Sequence, residues 1–137
     1  MRALDSARGN FKSATLAPHL PRRAPIDAYG QGGFRFAGMS HRGSLLCLPS
    51  GIWAWAPAAP AEIDTAALAP VFAEAGEIDL FLLGTGASPW LVPEALRWEL
   101  RDRRVAVEAM PTGPAARTYN ILLSENRRVA AGLIAVA

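Results

Sequence analysis

The feature that most constrains the fold is the regular alternation, after Pro60, of short apolar runs with segments that carry helix signals. Each helical segment begins at a residue suited to a helix start. These residues are Asp64 or Thr65, Pro93 and Thr112. The predicted helices cover 64–75, 93–104 and 112–125, and the apolar runs cover 78–83, 105–109 and 128–136. This β-α-β-α-β order predicts an α/β fold in which helices pack on a mixed central sheet.

The chain before Pro60 predicts an N-terminal β meander. Four short apolar or aromatic stretches, separated by glycine and proline, have the length of strands. They cover 26–29, 33–36, 44–48 and 52–56. Between the last two, Pro49-Ser50-Gly51 combines the fixed φ of proline with the conformational freedom of glycine, which predicts a hairpin.

The length of 137 residues allows one hydrophobic core, so we expect a single domain over 25–137. Residues 1–24 lack periodicity and contain helix-breaking prolines, which predicts a flexible basic N-terminal arm. The first 25 residues carry a net charge of +4, whereas the remaining 112 carry −2. A domain with a net negative charge has no general attraction for phosphate backbones, so no nucleic-acid partner is expected.

Cysteine content and hydropathy indicate the cellular compartment in which the protein is found. Cys47 is the only cysteine, so the chain cannot form an internal disulfide, which suits a reducing environment. Neither a metal-ligand cluster nor a cofactor motif is recognised, and no cofactor is expected. Without a secretory signal or an apolar run of about 20 residues, we expect a cytoplasmic protein that does not insert into membranes. The basic, Ser- and Ala-containing residues 1–16 leave a mitochondrial presequence as the alternative.

Three ordered stretches resemble a known family. The first joins Ile26-Asp27-Ala28-Tyr29-Gly30 to Gly33-Phe34-Arg35-Phe36, Gly43-Ser44-Leu45-Leu46 and Pro49-Ser50-Gly51. The second is Leu82-Leu83-Gly84-Thr85-Gly86. The third joins Glu108, Met110, Thr112 and Gly113 to Arg117-Thr118-Tyr119-Asn120-Ile121-Leu122, and then to Glu125 and Arg127-Arg128-Val129-Ala130-Ala131. Over residues 25–135 the chain resembles the Mth-type domain of unknown function family. That family includes uncharacterised bacterial proteins, mitochondrial complex I assembly factor three and adipogenesis-associated Mth-domain protein.

The resemblance implies an α/β fold with a mixed sheet, an additional β region and packed helices. It implies no reaction, because the family offers no catalytic residues that could be transferred to this chain. Pro114 departs from the small residue common at its position, but proline is tolerated in the first turn of a helix.

Two predicted loops suggest a ligand site. Both follow strands expected to be parallel neighbours, so the loops should open on the same edge of the sheet, where α/β folds bind ligands. A helix start in the second loop would favour an anion. The candidate ligand or anion loop consists of Gly84, Thr85, Gly86, Thr112, Gly113 and Arg117. The alternative is a tight turn, a capped helix and an Arg117 ion pair with Glu108 or Glu125.

A second candidate is a polar pocket at Asp27 and Tyr29. These residues are two apart on a predicted strand, so they project from the same face, beside Gly30 and Gly32. The alternative is a locally bonded tyrosine hydroxyl next to a glycine bulge.

The third candidate is a partner surface at Trp98, Arg97 and Arg101. Helical geometry places Val92, Leu96 and Leu100 on one face and Trp98 on the other, among charged residues. An exposed tryptophan in this setting indicates a contact surface, although it can also pack on its own helix or under the arm.

No catalytic constellation is recognised, because neither Cys47, Ser44 nor Ser124 has a base with an orienting third group, and His41 lies beside a glycine turn. We therefore expect a noncatalytic binding or assembly module that uses the loops, Arg117 and Trp98 to engage a protein partner. The alternative is a small-molecule or anion-binding protein, even a weak enzyme, centred on the same loops. The chain is expected to be a monomer or a dimer, a dimer arising if an apolar strand lies at a sheet edge.

Overall fold

The computed structural model describes residues 19–137, and within this range eight strands and three α-helices are formed. The strands are β1 (Ala28–Gly30), β2 (Gly33–Phe36), β3 (Met39–Arg42), β4 (Ser44–Leu48), β5 (Gly51–Trp55), β6 (Leu80–Gly84), β7 (Ala106–Met110) and β8 (Val129–Leu133). The helices are α1 (Thr65–Ala73), α2 (Glu94–Asp102) and α3 (Thr112–Ser124), with short 3-10 turns at Pro60–Glu62 and Ala75–Glu77.

Five strands form the central sheet in the order β5-β4-β8-β6-β7. Strand β4 is antiparallel to both of its neighbours, whereas β6 runs parallel to β8 and to β7. The sheet is therefore mixed, as the sequence predicts. Strand β8 lies in the middle of the sheet and is shorter than the predicted 128–136, so it is not the edge that a dimer could use.

The N-terminal meander divides between two sheets. Strands β1, β2 and β3 form a separate antiparallel sheet, while β4 and β5 join the central sheet as a hairpin. The predicted turn lies at Pro49 and Ser50, and Gly51 has a φ of 148°. Strand β3 was missing from the sequence prediction because Met39-Ser40-His41-Arg42 has no apolar alternation. Its pairing with β2 determines its conformation.

The central sheet buries a core on each face. One core lies between the sheet and the α1 and α2 side, with Leu68, Leu96 and Phe81 among its members. The other lies beneath α3 and the small sheet, and contains Phe34 and Tyr119. Helices on both faces explain why the central strands are nearly continuous apolar runs.

The predicted arm falls partly outside the described residues, because its first 18 positions are not described. Of the remainder, Leu20 forms a β-bridge with Ile52 on β5, and the N–H of Ile52 donates to the Leu20 carbonyl at 2.9 Å. Ala24 is buried in the core beside α3. Residues 19–24 thus contact the domain, and the boundary at residue 24 stays a prediction.

Candidate functional site

The two predicted ligand loops meet at the carboxyl ends of β6 and β7. The N–H of Thr85 donates to the Met110 carbonyl at 2.9 Å, and the N–H of Thr112 donates to the Gly86 carbonyl at 2.9 Å. The loops do open on one edge, as parallel neighbours must. These backbone groups, however, bond to each other and are not available to an anion.

Thr112 connects three segments at this edge. Its buried hydroxyl accepts a hydrogen bond from the Gly86 N–H at 2.9 Å and donates one to the Ile134 carbonyl at 2.7 Å. The prediction that Thr112 caps α3 is wrong, since Pro111 is the N-cap residue and the Thr112 side chain makes no capping bond. The Thr112 hydroxyl is used in these two buried bonds, which stabilise the fold, and it therefore does not cap the helix.

Glycines allow the two loops to approach closely. A Cβ at Gly84 would lie 2.9 Å from Leu133 Cδ2 and 3.1 Å from Thr112 Cα, so a larger residue would require these neighbours to shift. Gly86 has a φ of 91°, a conformation that favours glycine. Both glycines therefore have a packing role, in agreement with the tight-turn alternative.

Arg117 stands apart from this loop cluster. It is exposed on α3, and among residues 19–137 no carboxylate lies within ion-pair distance of it. Glu125, one of the two suggested partners of Arg117, instead lies 3.9 Å from Arg127.

A shallow cavity of about 450 Å³ does lie beside the first loop. Thr85 and Gly86 contribute to its lining, whereas the other four residues of the candidate loop do not. The rest of the lining is mainly small or apolar, and includes Trp90 and Ile134. The arrangement suits an uncharged ligand better than an anion.

The polar pocket predicted at Asp27 and Tyr29 is only partly formed. Tyr29 lines an open cavity of about 560 Å³ on the small sheet, but Asp27 does not. The cavity is basic, because Arg35 and Arg42 also line it, beside His41. These three residues were not predicted to line a pocket, because the strand that carries His41 and Arg42 was missing from the sequence prediction.

Tyr29 also contacts the start of α3. A Cβ at Gly113 would lie 2.3 Å from the Tyr29 hydroxyl, so the ring covers the helix terminus where an anion was expected. Gly113 is buried as a result. Because Gly113 has no side chain, the Tyr29 ring can pack against it.

The predicted partner surface is open. Trp98 is 52% exposed, and the guanidinium carbon of Arg101 lies 5.1 Å from the centre of its ring. Arg97 and Arg101 line a neighbouring cavity of about 330 Å³ together with Arg104, which sequence reasoning missed. The cluster of arginines from 101 to 104 was the available signal. We call Arg97, Trp98 and Arg101 the α2 surface.

The suggested nucleophiles are held in structural roles. Burial raises the pKa of the Cys47 thiol to about 12, an effect that the neighbouring Tyr119 hydroxyl partly offsets. The Ser44 hydroxyl accepts from the Ala135 N–H at 3.1 Å. His41 Nε2 lies 3.2 Å from the Ser44 carbonyl oxygen, and burial, followed by the charge of His19, lowers the His41 pKa. None of these contacts pairs a nucleophile with a base.

Asn120 has an anchoring role that the helical pattern did not reveal. Its amide oxygen accepts from the Ile26 N–H and its amide nitrogen donates to the Ile26 carbonyl, both at 2.8 Å. Asn120 thereby fixes the chain as it enters the small sheet.

The described part of the chain contains neither a metal-ligand cluster nor a membrane-spanning helix. Among residues 19–137 no group of three or more His, Cys, Asp or Glu side chains could hold a metal ion. In the same range no helix has the length and apolar character that crossing a membrane requires.

A five-stranded mixed sheet with helices on both faces and a three-stranded sheet on one side defines a small α/β domain of the Mth938-like class. The chain belongs to the family described as protein of unknown function (DUF498/DUF598), whose model matches residues 26–134.

Relatives of two kinds share this domain. An uncharacterised protein of Rhodobacter capsulatus is 45% identical over 122 residues, which are 87% of this chain and 93% of the relative. NADH dehydrogenase (ubiquinone) 1 alpha subcomplex assembly factor 3 of Danio rerio is 33% identical over 109 residues, which are 80% of this chain. The chain spans 63% of that assembly factor.

Solved structures show the same fold. A crystal structure described as an outer membrane protein from Bartonella henselae is 49% identical, has a TM-score of 0.84, and covers 87% of this chain and 100% of its own. A solution structure of a Mth938-like domain from Bordetella pertussis is 26% identical with a TM-score of 0.72, covering 90% of this chain and 92% of its own. The expected family and fold class are confirmed.

Proposed function

We propose that this chain is a noncatalytic module that binds a protein partner during the assembly of a larger complex, and that the α2 surface is its binding site. The observation that carries the proposal is the half-exposed indole of Trp98 with the Arg101 guanidinium beside its ring. Tryptophan and arginine are the residue types most enriched among the contacts that dominate protein interfaces.

The geometry of the α2 surface supports this role. Leu96 and Leu100 on the opposite face of α2 are buried in the core, which fixes the helix and the direction in which Trp98 projects. A stacked guanidinium restricts the indole before binding, so less conformational entropy is lost when a partner covers it. A rigid aromatic anchor of this kind favours protein binding.

The assembly part of the proposal is supported by relatives. The Danio rerio protein is named as an assembly factor for NADH dehydrogenase, and it shares a third of its residues with this chain over the aligned region. Because this chain spans less than two thirds of that protein, the relative's role supports an assembly function only by analogy.

The test is recovery of the tagged chain from native lysate after mild cross-linking, with identification of co-purifying proteins by mass spectrometry. Trp98→Ala should lose the partner. The matched control is Ile121→Ala, because Ile121 on α3 is 53% exposed, close to the exposure of Trp98. Loss of the partner in both variants, or in neither, would contradict a site on the α2 surface.

The loop cavity supports a second candidate function, the binding of a small uncharged molecule. Thr85 and Trp90 lie in its lining at the carboxyl ends of the parallel strands, the usual ligand position in open α/β sheets. A metabolite that raises the melting temperature of the wild type but not of Trp90→Ala would favour this function. Anions are poor candidates, since the N–H groups of Thr85, Gly86 and Thr112 are already bonded.

We also propose a cytoplasmic location. The single Cys47 is a free, buried thiol, which suits a reducing compartment. Cell fractionation would test this directly, and recovery with the envelope fraction would contradict it.

A further inference from the structure

Strand β7 presents an unpaired edge at the end of the central sheet. Among residues 19–137 it pairs only with β6. The bonds from the Ala106 N–H to the Asp79 carbonyl and from the Thr85 N–H to the Met110 carbonyl show which of its backbone groups face β6. In a parallel ladder, successive residues direct their N–H and carbonyl groups alternately toward one neighbouring strand and toward the other. Ala106 and Met110 direct theirs toward β6. The N–H and carbonyl groups of Val107 and Ala109 therefore point outward.

The opposite edge of the sheet is partly covered. On β5, Ile52 bonds through its N–H and carbonyl groups to residues 19 and 20, which supply an additional bridge. Within residues 19–137 no comparable segment lies along β7. An unpaired edge is a template for another strand, and natural proteins usually cover or charge it.

A basic groove runs beside the open edge. The cavity of about 330 Å³ is lined by Arg97, Arg101, Arg104, Val105, Ala106 and Val107. Three guanidinium groups thus stand over the side of β7 from which Val107 and Ala109 pack toward the α2 core. No carboxylate is among these lining residues, so the groove is complementary to acidic side chains.

We propose that β7 accepts an extended acidic segment of a partner protein as an added strand, with the acidic side chains of that segment in the arginine groove. This inference rests on the proposed function, since it specifies the chemistry of the partner that the α2 surface binds. Main-chain bonds to Val107 and Ala109 provide affinity, and the arginines select acidic side chains at alternate positions.

Charge excludes two other occupants of this edge. A second copy of the chain paired through β7 would bring the two arginine grooves together, and the like charges would repel. The chain's own residues 1–18 contain Arg2, Arg8 and Lys12 against Asp5, so they have the wrong sign for the groove. An acidic partner segment is the occupant that the charge pattern favours.

The test uses two labelled probe peptides with the full chain, one of alternating Glu and Thr and a matched one of alternating Lys and Thr. Fluorescence polarisation should show binding of the Glu peptide and not of the Lys peptide. Backbone amide exchange measured by NMR should slow at Val107 and Ala109 when the Glu peptide is bound. Absence of binding, or binding without slower exchange at these amides, would overturn the proposal.

Two variants separate strand addition from simple charge attraction. Val107→Pro removes an outward N–H at an edge position where proline is tolerated, and should weaken Glu-peptide binding about tenfold. Arg97→Glu with Arg101→Glu should reverse the preference toward the Lys peptide. The reversal remains a valid test if the proline variant does not fold, and its failure would contradict the assigned groove.

Other outcomes are distinguishable. If an oligothymidylate binds the wild type and Val107→Pro equally and displaces the Glu peptide, the groove is a nucleic-acid surface and strand addition is wrong. In the cross-linking experiment, retention of the partner by folded Val107→Pro with loss by Trp98→Ala would overturn strand addition while the proposed function stands. Retention of the partner by both variants would overturn both strand addition and the proposed function.

Discussion

At the scale of single residues, the Thr112 hydroxyl joins the Gly86 loop, the start of α3 and the chain after β8. It is buried, so replacing it by an apolar group would leave a donor and an acceptor without partners. The residue that best matched an anion site in the sequence thus stabilises the carboxyl edge of the sheet.

Thr112→Val should lower the free energy of unfolding by about 1 to 3 kcal/mol, because the Gly86 N–H and the Ile134 carbonyl lose their buried partner. Urea denaturation measures this change. Thr112→Ser keeps the hydroxyl and should lose less. A Val variant as stable as the wild type would mean that these two bonds contribute little.

His41 should make stability depend on pH. Its ring lies 4.5 Å from that of His19, and burial together with the His19 charge lowers the His41 pKa below its ordinary value of 6.5. Because the folded state disfavours the proton, this contribution is present above about pH 6.5 and is lost as the pH falls toward the lowered pKa. The melting temperature should fall between pH 7 and 5.

His41→Gln tests the assignment, since it removes the titrating ring and should flatten this pH dependence. His19→Gln should reduce the slope by a smaller amount, because the charge of His19 is the second cause of the shift. An unchanged slope in His41→Gln would show that another group is responsible.

The role of a single residue was predictable where its partner is close to it in sequence. The capping role of Asp64 was predictable, and its carboxylate does accept from the Ala67 N–H at 2.8 Å. The anchoring role of Asn120 was not, since its partner Ile26 is 94 positions away. Side chains whose partners are distant in sequence cannot be assigned from periodicity.

At the scale of elements, β8 is the strand on which the central sheet depends, because it joins the antiparallel hairpin to the parallel pair. Gly132, the fourth residue of this strand, is packed between Trp55 and Phe81. The apolar runs and helix periods predicted most elements, since each is a local property of the chain. Strand order and the polar strand β3 were not predictable in the same way, because they arise from long-range pairing.

Gly132→Ala should destabilise the protein by about 1 to 3 kcal/mol, since the added Cβ would lie 2.7 Å from the Trp55 ring and 2.9 Å from Phe81. Denaturant unfolding provides the measurement. Gly76→Ala is the matched control, as no atom lies within 4 Å of its added Cβ. Equal stabilities of the two variants would show that the core at β8 tolerates a methyl group.

At the scale of the whole molecule, the central sheet has an asymmetric environment. Its β5 edge is bridged by Leu20, whereas no segment of the described residues 19–137 pairs with its β7 edge, beside the α2 surface and the arginine groove. The exposure of Trp98 was predictable from the helical period, but its proximity to an open strand edge was not, because sequence alone does not determine which strand lies at an edge. The features proposed to bind a partner therefore lie together on one side of the molecule.

Hydrogen–deuterium exchange of the chain, alone and with the partner recovered by cross-linking, tests this claim most directly. We expect slower exchange over α2 and β7, with the outward amides of Val107 and Ala109 among the most protected. Protection confined to the loop at Thr85 and Gly86, with α2 and β7 unchanged, would contradict the account and favour the loop cavity as the functional site.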